Sequence, residues 1–176
     1  MSALIFIVSS LLHLLVLVFL LRVLLPLCGV DYHHPFSVAI LRLTNPLILP
    51  MRRFLPAMGR IDTASWVVLL LIQLASTLLI TTLKGLVPYS ISQFLFISFH
   101  ELLSILLQFY LFVLMLYAVM SWMTPHDYNP ANNLLRNLSA PILKPFQRFI
   151  PRIAGLDLSV LFALIAIQAL LIFIGA

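Results

Sequence analysis

The chain has 176 residues, of which 63% are hydrophobic and only 9% charged, with a mean hydropathy of +1.17 and a net charge of +5 at pH 7. A water-soluble domain of this length needs far more polar surface, so the composition excludes one. Four stretches are instead apolar over roughly 18 or more positions, the length at which a helix rising ~1.5 Å per residue crosses ~30 Å of hydrocarbon.

The first stretch runs from about Ala3 to Leu25. Nothing basic precedes it and its apolar run exceeds a signal h-region, so it is expected to remain as a membrane span. His13 lies about ten residues in, near the expected bilayer midplane. Cys28 follows and is the single cysteine, which excludes an internal disulfide and any multi-cysteine metal site.

The loop after it carries Asp31, His33 and His34, which have the side chains of metal ligands but lack further partners, and no metal site is expected there. From Asn45 to Pro56 the chain is too apolar for a solvated loop and too broken for a span. Asn45 suits an N-cap with Pro46 at the first helical position, and Pro50 then removes the next hydrogen bond. Two short turns with a kink are expected, lying at the membrane interface with Leu47, Ile48, Phe54 and Leu55 buried and Arg52 and Arg53 reaching phosphates. Each buried apolar side chain contributes ~1.5 to 3 kcal/mol against ~1 kcal/mol per arginine near an anionic surface, so the apolar face should dominate.

Asp62 opens the second span, Ala64 to Leu83, as an N-cap; paired with Arg53 it would instead brace a binding surface. Gln73 lies midway along that span. A connecting segment, residues 84–97, holds Lys84 and Tyr89. The third span, Ser98 to Trp122, contains Gln108, with His100 and Glu101 read as a pair near its outer end. The second loop repeats the interfacial design from Ser139 to Pro151, and Asp157 opens the fourth span, Leu158 to Ile174, which contains Gln168.

The chain matches itself at a shift of 95 residues. Pro46, Pro50, Arg53, Phe54, Pro56 and Asp62 fall on Pro141, Pro145, Arg148, Phe149, Pro151 and Asp157. Both copies read P-x3-P-x2-R-F-[LI]-P-x4-[IL]-D, and Arg52 of the first copy is replaced by Gln147 in the second. The same shift sets His13 on Gln108 and Gln73 on Gln168, so every span carries one large polar group at similar depth. Two readings of that layer stay open: interhelical hydrogen bonding within one bundle, and a polar site for an ion or pathway with His13 as its key residue.

The expected fold is therefore an all-α membrane protein of four transmembrane helices, arranged as two tandem helix-loop-helix repeats with short amphipathic interfacial helices in the loops. The first repeat covers 1–83 and the second 98–176. Two spans per repeat make the repeats parallel. Nine of the ten basic residues fall in or beside the two long loops, and only Lys84 lies between the copies. The positive-inside rule puts those loops in the cytoplasm and both termini outside, with Trp66, Trp122 and Tyr89 as interfacial anchors.

On the motif spanning Pro46 to Asp62, repeated from Pro141 to Asp157, the chain resembles the YggT family of bacterial membrane proteins, related to plastid proteins of the YlmG type. The run from Arg52 to Gly59, with Ile61 and Asp62, is especially similar to the family pattern. The resemblance implies a bacterial inner-membrane location and a link to osmotic shock tolerance. It also implies, through the plastid relatives, haem attachment in a cytochrome complex or the organisation of division and nucleoids.

No nucleophile elbow, phosphate loop, zinc-protease or dinucleotide motif is present, so no enzyme, catalytic residue or cofactor is expected. The loops account for the net charge, and nucleic acid is not an expected partner. The first expectation is a scaffold or assembly factor whose interfacial loops bind membrane lipids and other membrane proteins. The alternatives are a small channel or transport component in osmotic adaptation, as a homo-oligomer because four helices are few for a pore, and a haem or cytochrome maturation factor.

Overall fold

A computed structural model describes residues 2–31, 33–55, 62–86, 90–123, 130–149 and 158–175, and the described residues are all-helical. Leucine, isoleucine, valine and phenylalanine occupy most positions of α1 (Ser2–Leu27), α3 (Thr63–Leu83), α4 (Ile91–Met123) and α6 (Leu158–Ile174). In hydrocarbon such segments become helices because only a helix satisfies every backbone group within the segment. Between them lie two helices of different character, α2 (Pro35–Arg52) and α5 (Pro130–Phe149), each mixing polar and basic residues with apolar ones.

By length and composition, α1, α3 and α4 can each cross a membrane. The fourth expected span is the apolar helix α6, whose 17 residues make it shorter than these three. Outward-facing side chains are those a hydrocarbon solvent favours, such as Phe6, Ile172 and Phe173.

The chain forms two compact units, Met1–Leu24 with Pro35–Ile105, and Leu25–His34 with Leu106–Ala176. In the first, α2 packs on α3. Its buried positions Ser37, Ile40, Thr44 and Ile48 fall three and four residues apart, a single helical stripe. Small residues Ala64, Ser65, Ser76 and Thr77 are buried on α3, where they let neighbouring backbones approach closely. In the second unit α5 packs on α6. Leu138, Ser139 and Leu143 are buried on α5, and Ser159, Ala163, Ile167 and Leu171 form a matching stripe on α6.

Two expectations about the loops are corrected. The proline segment does not form two short turns after an Asn45 cap. It is the second half of the 18-residue helix α2, and Pro46 and Pro50 lie inside it. Both proline rings sit on the exposed face, one turn apart, while the opposite face is held against α3, so tertiary packing offsets the lost backbone hydrogen bonds. The same holds for Pro141 and Pro145, which are exposed within α5. Ile48 is fully buried in the protein, whereas Leu47 and Phe54 are exposed and Leu55 half-buried, so the apolar face expected for the interface is divided between protein and surroundings. Pro56, Pro151 and Asp157 lie outside the described residues.

The third long helix begins at Ile91, earlier than Ser98, because Ser90 caps it: the Gln93 N–H donates to Ser90 Oγ at 3.2 Å. At the end of α1, Gly29 adopts φ +70°, and the Val30 N–H closes on the Leu25 carbonyl at 3.0 Å. This left-handed terminus, which a side chain would strain, turns the chain out of the helix.

Candidate functional site

Two polar clusters lie in the first unit. The larger surrounds Arg22, a residue near the end of the apolar run of α1 and only 4% exposed. A guanidinium cannot shed its charge at this depth, so its donors must find acceptors. They do so on α2 and α3. Nε donates to Ser65 Oγ at 3.1 Å, and Nη1 to Thr44 Oγ1 at 2.6 Å, Asn45 Oδ1 at 2.9 Å and the Leu41 carbonyl at 3.3 Å. The Thr44 hydroxyl in turn donates a hydrogen bond to the Ile40 carbonyl at 2.7 Å. One arginine thereby ties three helices together.

Asp62 completes the cluster. Its Oδ2 accepts from Ser65 Oγ at 2.7 Å and from Arg52 Nη2, with Arg22 Nη2 4.0 Å away. Partial burial pushes the carboxyl upward, but the hydrogen bonds from Arg52 and Ser65 and the charges of Arg52 and Arg22 outweigh it and hold Asp62 below the usual carboxylate range. The residue stands at the N-cap position of α3, yet its side chain makes no capping hydrogen bond. Its arginine partners are Arg52 and Arg22, whereas the sequence pointed to Arg53. The repeat drew attention to Arg53 because Arg148 matches it, while Arg22 and Arg52 have no basic counterparts, falling on Tyr117 and Gln147.

The second cluster lies midway along α3. Gln73, ten residues from either end of that helix, is 2% exposed. Its Nε2 donates to Thr77 Oγ1 at 3.1 Å and to Glu101 Oε2 at 3.2 Å, and Thr77 Oγ1 donates to the same Glu101 oxygen at 2.6 Å. Glu101, which the sequence paired with His100 near the outer end of the span, lies ten residues into α4 and meets α3 near mid-length. The ring of His100 lies 6.4 Å from that of Phe96.

The four polar groups expected near the midplane differ in burial. Gln73 alone of the four is buried, while His13, Gln108 and Gln168 stand on exposed faces of α1, α4 and α6. Equal spacing along the helices fixes depth but not azimuth, which explains the difference.

In the second unit, α5 presents Arg136, Lys144 and Arg148 on exposed positions eight and four residues apart, one basic stripe. Cys28 lies 3.8 Å from the Tyr110 hydroxyl, and burial pushes its thiol up against the opposing effect of that hydrogen bond. Asp31 and His34 join in a turn through the His34 N–H and the Asp31 carbonyl at 3.1 Å. Among the described residues no three histidine, cysteine, aspartate or glutamate side chains gather as metal ligands.

A family model described as CCB3/YggT matches residues 1–83 and again 96–176. An uncharacterized protein of Pseudomonas aeruginosa is 39% identical over 168 residues, covering 95% of this chain and 85% of its own. An uncharacterized protein of Vibrio alginolyticus is 34% identical, covering 96% and 91%, and the uncharacterized protein YggT of Escherichia coli K12 is 33% identical, covering 90% and 82%. No solved structure matches. With the family pattern present twice and its relatives aligned along nearly the whole length, this all-helical membrane protein belongs to the CCB3/YggT family.

Proposed function

We propose that the chain is a non-enzymatic scaffold or assembly factor of the bacterial inner membrane, with α2 and α5 lying at the cytoplasmic face. In this reading α6 is the fourth crossing, since about 25 Å of helix suffices at the short end of the spanning range, and both termini face outward. We extend the proposed role to tolerance of osmotic shock, as the family resemblance implies.

The observation that carries the reading is the pair of helices α2 and α5, each packed on a span-length or near-span-length apolar helix and each bearing basic residues on its exposed surface. On α2 the exposed side is mixed, with Leu43, Leu47 and Leu49 beside Arg42 and Arg52–Arg53. On α5 it is polar, with Arg136, Lys144 and Arg148. The first suits insertion among acyl chains, and the second suits lipid phosphates or an acidic protein partner.

Photo-crosslinking from positions 136 and 144 in intact membranes tests this. A shared protein adduct at both positions, absent from a lipid-facing control at Phe6, is the expected result, together with less retained anionic lipid after Arg136, Lys144 and Arg148 are changed to glutamine. Adducts to lipid alone would leave no scaffold to defend.

A further inference from the structure

Gln108 stands on an exposed face of α4, seventeen residues after Ile91 and thirteen before Ser121, the ends of the segment long and apolar enough to cross a membrane. At ~1.5 Å per residue that segment is about 45 Å long, so wherever ~30 Å of hydrocarbon falls along it, Gln108 lies inside. Water does not reach an amide there, and setting its donors and acceptor against acyl chains is costly. A face that met lipid alone would gain from an apolar residue at this position.

The neighbours of Gln108 along α4 form a seam. Phe112, Met115 and Val119 follow it at steps of four, three and four residues, and all three are exposed. At 3.6 residues per turn the four positions fall within about 60° of one another around the helix axis. Tyr110, Val113 and Leu114, which are buried, occupy the opposite side. Alternating steps of four and three are the spacing with which two parallel helices interlock their side chains, and a single polar residue in such a seam fixes its register.

The chemistry of the amide selects the occupant. Glutamine carries one acceptor and two donors, so its side chain is the hydrogen-bond complement of another glutamine. Copies of one chain enter a membrane the same way round, oriented by their basic loops, and a two-fold axis along the membrane normal then sets each residue opposite itself at equal depth. A second copy brings Gln108 to Gln108 with no further condition, whereas any other partner must carry a polar group at this height. We infer that the face of α4 formed by Gln108, Phe112, Met115 and Val119 is the interface of a parallel homodimer, joined by reciprocal hydrogen bonds between the two Gln108 amides. The inference rests on α4 and is independent of the scaffold role assigned to α2 and α5.

Single-molecule photobleaching of the full chain, with one fluorophore per copy, in liposomes over a range of protein-to-lipid ratios is the test. The unmodified chain should pass from monomer to dimer as the ratio rises. Gln108→Leu should need about tenfold more protein per lipid to do so, while Gln108→Asn, which keeps an amide, should stay within about threefold. Phe173→Ala, at an exposed position of α6, should change nothing. Phe112→Cys, Met115→Cys and Val119→Cys, each in a Cys28→Ser chain, should give disulfide-linked dimers on oxidation in membranes, whereas Phe173→Cys should not. A chain that stays monomeric at every ratio overturns the inference, as does an unchanged dimer fraction in a folded Gln108→Leu chain. If that variant fails to fold, equal cross-linking from positions 119 and 173 overturns it, and so does a cross-link from 119 to a different protein in place of a second copy.

Discussion

Replacing Arg22 with alanine removes a buried charge that donates to four acceptors on α2 and α3. A hydrogen bond from a charged donor contributes about 1.5–3 kcal/mol net, and simple addition would put the loss above 6 kcal/mol. That sum overshoots, because deleting the arginine also relieves its desolvation cost, several kcal/mol for a buried ion. Asp62 keeps Arg52 and Ser65 as donors, so no bare carboxylate is left behind. The group left short is Asn45 Oδ1, along with the space of the side chain itself, because the Leu41 carbonyl still accepts from Thr44 Oγ1 at 3.4 Å. A loss of about 3 kcal/mol is expected, and about half of that for Arg22→Lys, which keeps the charge but not the fork of donors. Denaturant titration in mixed micelles, followed by the fluorescence of Trp66 beside Ser65, measures both. If Arg22→Ala lies within about 0.5 kcal/mol of the unmodified chain, the guanidinium does not hold the three helices together and the reasoning fails.

The neighbouring Arg52 should behave differently. Its side chain is 44% exposed, so Arg52→Ala is expected to cost at most about 1 kcal/mol and to cost less in high salt, by the same titration. Acid sensitivity follows from Asp62. Its folded carboxyl titrates below the ordinary 3.8, so its stabilising contribution is complete above about that pH and is lost as pH falls through the lower folded value. Melting curves of Asp62→Asn and the unmodified chain should therefore converge only below that range, and parallel curves from pH 7 to 2 would contradict the assignment. Cys28, its thiol raised by burial, should react with iodoacetamide at pH 7 more slowly than a free cysteine; Tyr110→Phe should slow it further, because the hydroxyl's hydrogen bond opposes the rise. Mass spectrometry gives both rates.

Much of the architecture was legible in the order of residues because burial in hydrocarbon acts on composition directly. A run such as Leu158–Ile174 has no alternative to a helix in lipid, and the 95-residue shift exposes the repeat without reference to any contact. The proline segments were less legible. Local rules treat Pro46 and Pro50 as breakers, but whether a helix passes through them depends on where the rings face and on what grips the opposite side, here Thr44 and Ile48 against α3.

The candidate sites divide in the same way. Sequence alone established the family motif, the place of Gln73 midway along its span and the position of Glu101 within the third apolar run. Only the tertiary structure decided that Arg22 meets Thr44, Asn45 and Ser65, that Asp62 pairs with Arg52, and that Gln73 turns to Glu101 while His13, Gln108 and Gln168 turn away. The reason is geometric. Residue spacing sets height along a helix at ~1.5 Å per position, but partnership depends on helix rotation and packing, which are properties of several segments at once.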